Sequence, residues 1–254
     1  MKTDQRALGL WLLAAALAVV AVLLPPLAQP PAYHDFADQR ACRGLPNCFD
    51  TASNALFVLA GAIGLLLIRR AGRVVFRERR EAMPYRLFFL GAVLIGFGSG
   101  YYHLDPANER LLWDRLAMML GFMAWFAAIV GERVSPRAGL RLLPLFLAAG
   151  LGSVAWWGWS EMRGIGDLRF YLLVQLIPVL LVPLLLRLYP PRYSGDRAIL
   201  AVIGLYLLAL LFDLGDRPVF GLTGGWLSGH TLKHVLAAAA VGVVALHLRR
   251  RRAE

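Results

Sequence analysis

Apolar residues fall in eight blocks, at roughly 8–28, 51–68, 87–103, 112–131, 138–157, 169–187, 198–215 and 230–248. Short polar connections separate them. Each block reaches the ~17–25 residues that cross a hydrocarbon layer. Backbone in lipid must satisfy its own hydrogen bonds, so the blocks predict helices. No stretch alternates with period two, which excludes a membrane β-barrel. The expected fold class is all-α, a polytopic membrane helix bundle. The first block has a short charged flank, as a signal peptide would. Its apolar run is longer than a signal core, however, and ends in Pro25, Pro26 and Leu27 without a small-x-small site. Residues 1–30 therefore read as a retained N-terminal transmembrane helix and 31–254 as the main membrane domain. No internal repeat or Gly/Ser linker is visible. The longest connections, 29–50 and 69–86, are too short for a soluble domain.

Composition agrees: of 254 residues, 59% are hydrophobic and 17% charged, which excludes disorder and most water-soluble folds. Two cysteines exclude a cysteine-rich zinc protein. The net charge of +11 would suggest nucleic acid in a soluble chain. Here the basic residues sort by connection, so no nucleic-acid partner is expected. One set comprises Lys2, Arg6, seven arginines over 69–86, Arg133, Arg137, Arg141, Arg187, Arg192, Arg197 and Arg249 to Arg252. The intervening set is smaller: Arg40, Arg43, Arg110, Arg115, Arg163, Arg169, Arg217 and Lys233. By the positive-inside rule, both termini are expected in the cytoplasm. The arginine-rich 69–86 stretch reads as a topogenic contact with lipid headgroups.

Ionisable groups at span depth carry the chemistry of a membrane chain. His103, Asp114, Asp213, His230 and His234 come from four spans, and the topology sets all five near the outer face. His230 and His234 at i,i+4 share one helix face. Such a pair alone reads equally as two separately hydrogen-bonded histidines. With His103 at matching depth it makes three imidazoles and an open position, the pattern of a catalytic zinc site. Ser99 lies one turn before His103, able to donate to an oxyanion or to bond back to its own helix. Gly96, Gly98 and Gly100 permit close helix approach. Asp105-Pro106 reads as a helix start. Asp114 lies about two turns on. It is either an ion-pair partner of Arg115, Arg110 or Lys233, or a base for water beside the metal.

The outer segment 33–54 is rich in carboxylate and amide oxygens. Oxygen ligands suit a hard cation such as calcium. Its plain alternative is a loop entering a helix capped by Asp50 or Thr51. Cys42 and Cys48 lie close together where a disulfide is permitted.

Ser99-x-x-x-His103, Trp113-Asp-Arg-Leu-Ala-Met118 and His230-x-x-x-His234 resemble the alkaline ceramidase family of the CREST superfamily. Asp35-Phe-Ala-Asp38 and Asn47-Cys-Phe-Asp-Thr-Ala-Ser-Asn54 resemble its amino-terminal motif. The resemblance covers roughly 33–248 and implies a seven-helix core, with the first helix extra. It implies zinc on His103, His230 and His234, with Asp114 and Ser99 as catalytic groups. The implied reaction is hydrolysis of the amide of ceramide, or of a related N-acyl lipid, to a free base and a fatty acid. The implied partners are that lipid and the membrane. The arginine-rich composition suggests a bacterial inner membrane, and with it a lipid amide other than ceramide. Asp35, Asp38 and Asn47 match positions of the family's calcium site. Arg40 stands where an asparagine ligand is expected, and its guanidinium could replace the ion by pairing with Asp35 and Asp38. A metal-containing receptor or sensor of the same shape is the alternative function. Haem ligation is disfavoured, because histidines one turn apart on one helix cannot take opposite haem faces.

Overall fold

The computed structural model describes residues 4–254; Lys2 and the side chain of Arg73 lie outside what it describes. The helices are α1 (Gln5–Leu23), α2 (Cys48–Ser53), α3 (Ala55–Val75), α4 (Ala82–Leu104), α5 (Asn108–Arg133), α6 (Pro136–Met162), α7 (Arg169–Leu188), α8 (Asp196–Leu214), α9 (Asp216–Leu222) and α10 (Gly229–Arg250). Among the described residues the extended pairings are two isolated bridges, Cys42 with Leu45 and Tyr193 with Ala253. Eight helical segments are long and apolar enough to cross a membrane, one for each apolar block. The protein is an all-α polytopic bundle.

Local chemistry sets the helix ends, and two of them differ from expectation. α1 stops at Leu23, short of residue 28, because Leu24 precedes Pro25 and turns extended, with ψ 150°. α5 starts at Asn108 and not at Asp105. Ala107 takes the extended N-cap conformation, while Asp105 closes α4. The Asp105 carboxylate pairs instead with Arg110 at 3.0 Å. By contrast, Ser135 before Pro136 and Ser228 before Gly229 are regular caps, each accepting a backbone N–H of the first turn.

Short connections make α3, α4, α5 and α6 consecutive neighbours. α10 packs against both α3 and α8, and α7 packs on α5 and α6. α5 is the most enclosed span. The main core joins Phe57, Phe89, Trp125, Phe126, Ile129 and Val182. α1 lies outside this ring against α7, with Ala21 as its one buried residue.

Polar groups gather at the two ends of the bundle. At one end Arg251 pairs with Glu132, Arg133 with Asp196, and Arg192 with Glu81. Tyr189 beside Asp4, and Tyr193 beside Ala253, bring both ends of the described chain to this end. The histidines occupy the other end.

Candidate metal centre

His103 closes α4, and His230 and His234 sit in the first turns of α10. All three are at least 96% buried. Their ligand atoms lie within 4.8 Å of one another. His103 Nε2 and His230 Nε2 are 3.2 Å apart, though the residues are 127 positions apart in the chain. Nitrogens at ~2.0–2.1 Å from one tetrahedral metal would be separated by about 3.3 Å. Outer contacts orient two of the rings: His230 Nδ1 lies 2.7 Å from Asp213 Oδ1, and His234 Nδ1 lies 2.8 Å from Ser53 Oγ. A histidine held at one nitrogen presents the other to a metal. His103 Nδ1 is buried and unpartnered among the described residues. The Phe36 ring covers the group, with its centroid 4.7 Å from His103 and 4.4 Å from His230. The three residues therefore fit a single bound metal ion.

The support for these rings comes from a segment whose role the sequence reading missed. Asn47 precedes α2 as its cap, and Asp50 and Ser53 follow within the helix at three-residue steps. Asn47 Nδ2 donates to the His103 carbonyl at 2.8 Å. Asp50 does not cap α2, as the spacing suggested; Asn47 stands at the cap, in a left-handed conformation. Asp50 is buried and accepts hydrogen bonds from Ser228 and Thr231 at the start of α10. Asp216 works from the other side, accepting the His230 N–H and the Ala37 N–H, both at 2.8 Å. The repeat of short polar residues every three positions was the available signal for α2.

Asp114, Ser99, Lys233 and His234 line one cavity of about 340 Å³, together with Asp213. The three cations that could have paired with Asp114 go elsewhere: Lys233 to Asp213 at 3.1 Å, Arg110 to Asp105, and Arg115 to Gln29 at 2.5 Å. Asp114 makes no ion pair or hydrogen bond among the described residues. Nor does Ser99 bond back to its helix, as Ser153 and Ser160 do. The remaining wall is mostly apolar, running past Met118 and Phe122 to Trp125. At 1.5 Å per residue, α5 lines it for roughly 16 Å between Asp114 and Trp125.

Asp35, Asp38 and Asn47 do not form an oxygen cage. Arg40 takes both oxygens of Asp38, each at 2.7 Å, while Asp35 turns to Arg217 and Gln39. Arg40 thus pairs with Asp38 but not with Asp35, correcting half of the expected replacement. With Asn47 directed at His103, the three residues do not fit a calcium ion. Burial alone would raise the Asp38 pKa; the hydrogen bonds and charge of Arg40 outweigh it and hold the carboxyl below its usual value. Cys42 and Cys48 are joined in a disulfide, with Cα atoms 5.5 Å apart. No known protein-family model and no curated protein matches the chain.

Proposed function

We propose that this chain is a zinc-dependent membrane hydrolase of N-acyl lipids, similar to the alkaline ceramidase family. One observation carries the reading. One of three converging imidazoles, His234, lines a mostly apolar cavity together with a carboxylate and a hydroxyl, Asp114 and Ser99, that have no hydrogen-bond partner among the described residues. A closed structural site would leave neither group free, and open positions mark catalytic zinc.

Bound to His103, His230 and His234, zinc would supply Lewis acidity toward a carbonyl and toward water. Asp114 takes the proton of the attacking water and returns it to the leaving nitrogen. One water and one amide thus become a carboxylic acid and an amine. The Ser99 hydroxyl donates to the oxygen that gains charge. Asp213 fixes the His230 ring and keeps Lys233 neutralised. The apolar wall holds the acyl chain away from water. In this reading the chain lies in a bacterial inner membrane, with both termini cytoplasmic and the metal centre toward the outer face.

The test is metal content and turnover on purified protein. About one zinc per chain is expected, lost in His230→Ala or His234→Ala. Asp114→Asn should keep the zinc and lose about 10²–10⁴-fold in hydrolysis of a long-chain N-acyl lipid. Ser99→Ala should lose about 10–10³-fold. Zinc retained in both histidine variants refutes the site. Zinc-loaded protein that cleaves no N-acyl lipid, ceramide included, points to the receptor or sensor function.

A further inference from the structure

Lys233, Arg169, Arg110 and Arg40, at the histidine end, each pair with a carboxylate: Asp213, Asp167, Asp105 and Asp38. At the opposite end Arg251, Arg133 and Arg192 do the same. Arg115 is different. It is 3% exposed, yet its one polar contact is the neutral amide oxygen of Gln29, and its Nη1 has no partner among the described residues. Aromatic faces surround it instead: Trp157 at 4.1 Å, Tyr171 at 4.7 Å and Tyr33 at 5.5 Å from the guanidinium carbon. Such faces attract a cation but do not neutralise it. A buried cation without a counter-ion is costly. Arg115 also lines the cavity that holds Ser99 and Asp114.

We infer that Arg115 is the counter-ion site for a carboxylate carried by the lipid, so that the substrate class is an N-acyl amino acid and not a neutral ceramide. The inference rests on the hydrolase reading above and narrows its substrate. Asp114 and Arg115 are consecutive on α5, so they face neighbouring sectors of one cavity, about 100° apart around the helix. A lipid whose amide lies at Asp114 and Ser99 must therefore carry its anion only a short spacer away, as an α-carboxylate is. Its acyl chain then follows the apolar wall toward Trp125. The planar guanidinium fork matches a carboxylate.

The experiment is binding, read before turnover, to full-length, zinc-loaded protein in detergent, using N-dodecanoylglycine, its methyl ester, dodecanoic acid and methyl dodecanoate. N-dodecanoylglycine should bind at least about tenfold tighter than its ester, the gain of a charge-assisted contact. Arg115→Gln should reduce that preference to within about twofold while keeping the ester affinity, which also reports an intact fold. Arg115→Lys should retain part of the preference. Equal binding of acid and ester by the wild type overturns the inference and needs no variant. So does a preference undiminished in Arg115→Gln. A preference confined to dodecanoic acid over methyl dodecanoate also overturns it, placing the anion on the fatty-acid product. Turnover separates the two readings. An Arg115-dependent preference without hydrolysis keeps this subsite and refutes the hydrolase; ceramide cleavage without any acid preference does the reverse.

Discussion

Asp213 stands between a histidine and a lysine, with one oxygen on each. Its carboxylate fixes the His230 ring and answers the Lys233 charge at once. Asp213→Asn keeps the shape but removes the charge, leaving a half-buried ammonium without its counter-ion. Metal affinity should fall about 10–100-fold, the usual cost of losing an outer partner of a ligating histidine. Competition with a chelator of known affinity measures it; unchanged affinity would mean that the contact only fills space. Residue type alone marked Asp213 as informative, since a carboxylate near span depth needs a partner. That the partners are His230 and Lys233 was not legible, because α8 and α10 are separate segments whose faces meet only in the fold. The same holds for Asp114, whose candidate ion pairs were equally consistent with the sequence until Arg110, Arg115 and Lys233 were each seen in another contact.

Between elements, the contact of α4 with α5 decides whether Ser99 and Asp114 share a cavity. It closes at Gly98, where an added Cβ would lie 2.9 Å from the Trp113 carbonyl oxygen and 3.2 Å from the Asp114 nitrogen. Gly98→Val should push the helices apart, costing about 1–3 kcal/mol of stability as overpacking does. Turnover should fall more than stability, because the two groups separate; normal turnover in a folded Gly98→Val protein would contradict this. The α6–α7 connection makes a second prediction. Asp167 is held by the Arg169 side chain, which draws its pKa down to about 2, with Trp156 and the Arg169 backbone assisting. Arg169 also reaches the carbonyls of Val22 and Leu24, tying α1 to the bundle. The folded-state pKa lies below the unfolded value of 3.8, so the unfolded chain binds more protons between the two. The stabilisation is complete above pH 3.8 and lost as pH falls through about 2. At neutral pH Asp167→Asn should lower the Tm, because the Arg169 guanidinium loses its carboxylate partner. The difference in Tm from wild type should shrink on acidification to pH 2; a constant difference would show that charge is not the cause.

Over the whole molecule, both described chain ends meet at one end of the bundle and the histidines at the other, as eight crossings require. The basic residues give an expectation for the cytoplasmic end, the one that holds both described chain ends. Single cysteines placed at Val74 and Leu222, both strongly exposed, test it. A membrane-impermeant thiol reagent should reach position 222 from outside and spare position 74, while Cys42 and Cys48 stay silent in their disulfide. Labelling of 74 from outside would invert the orientation and move the metal centre to the inner face.

The chain alone determined the eight spans, because a hydrocarbon layer demands long apolar runs and tolerates few charges within them. It also determined that His103, His230 and His234 share one end, since crossing number fixes the side on which each span begins and ends. Only the tertiary structure decided the rest. It placed α1 outside the ring, gave Asp38 to Arg40, turned α2 and its cap into the support of two histidines, and left Asp114 and Arg115 without an ion pair among the described residues. Hydropathy sets the depth of a side chain but not its direction around the helix. Direction is set by close packing between segments far apart in sequence, and it selects which polar atoms meet.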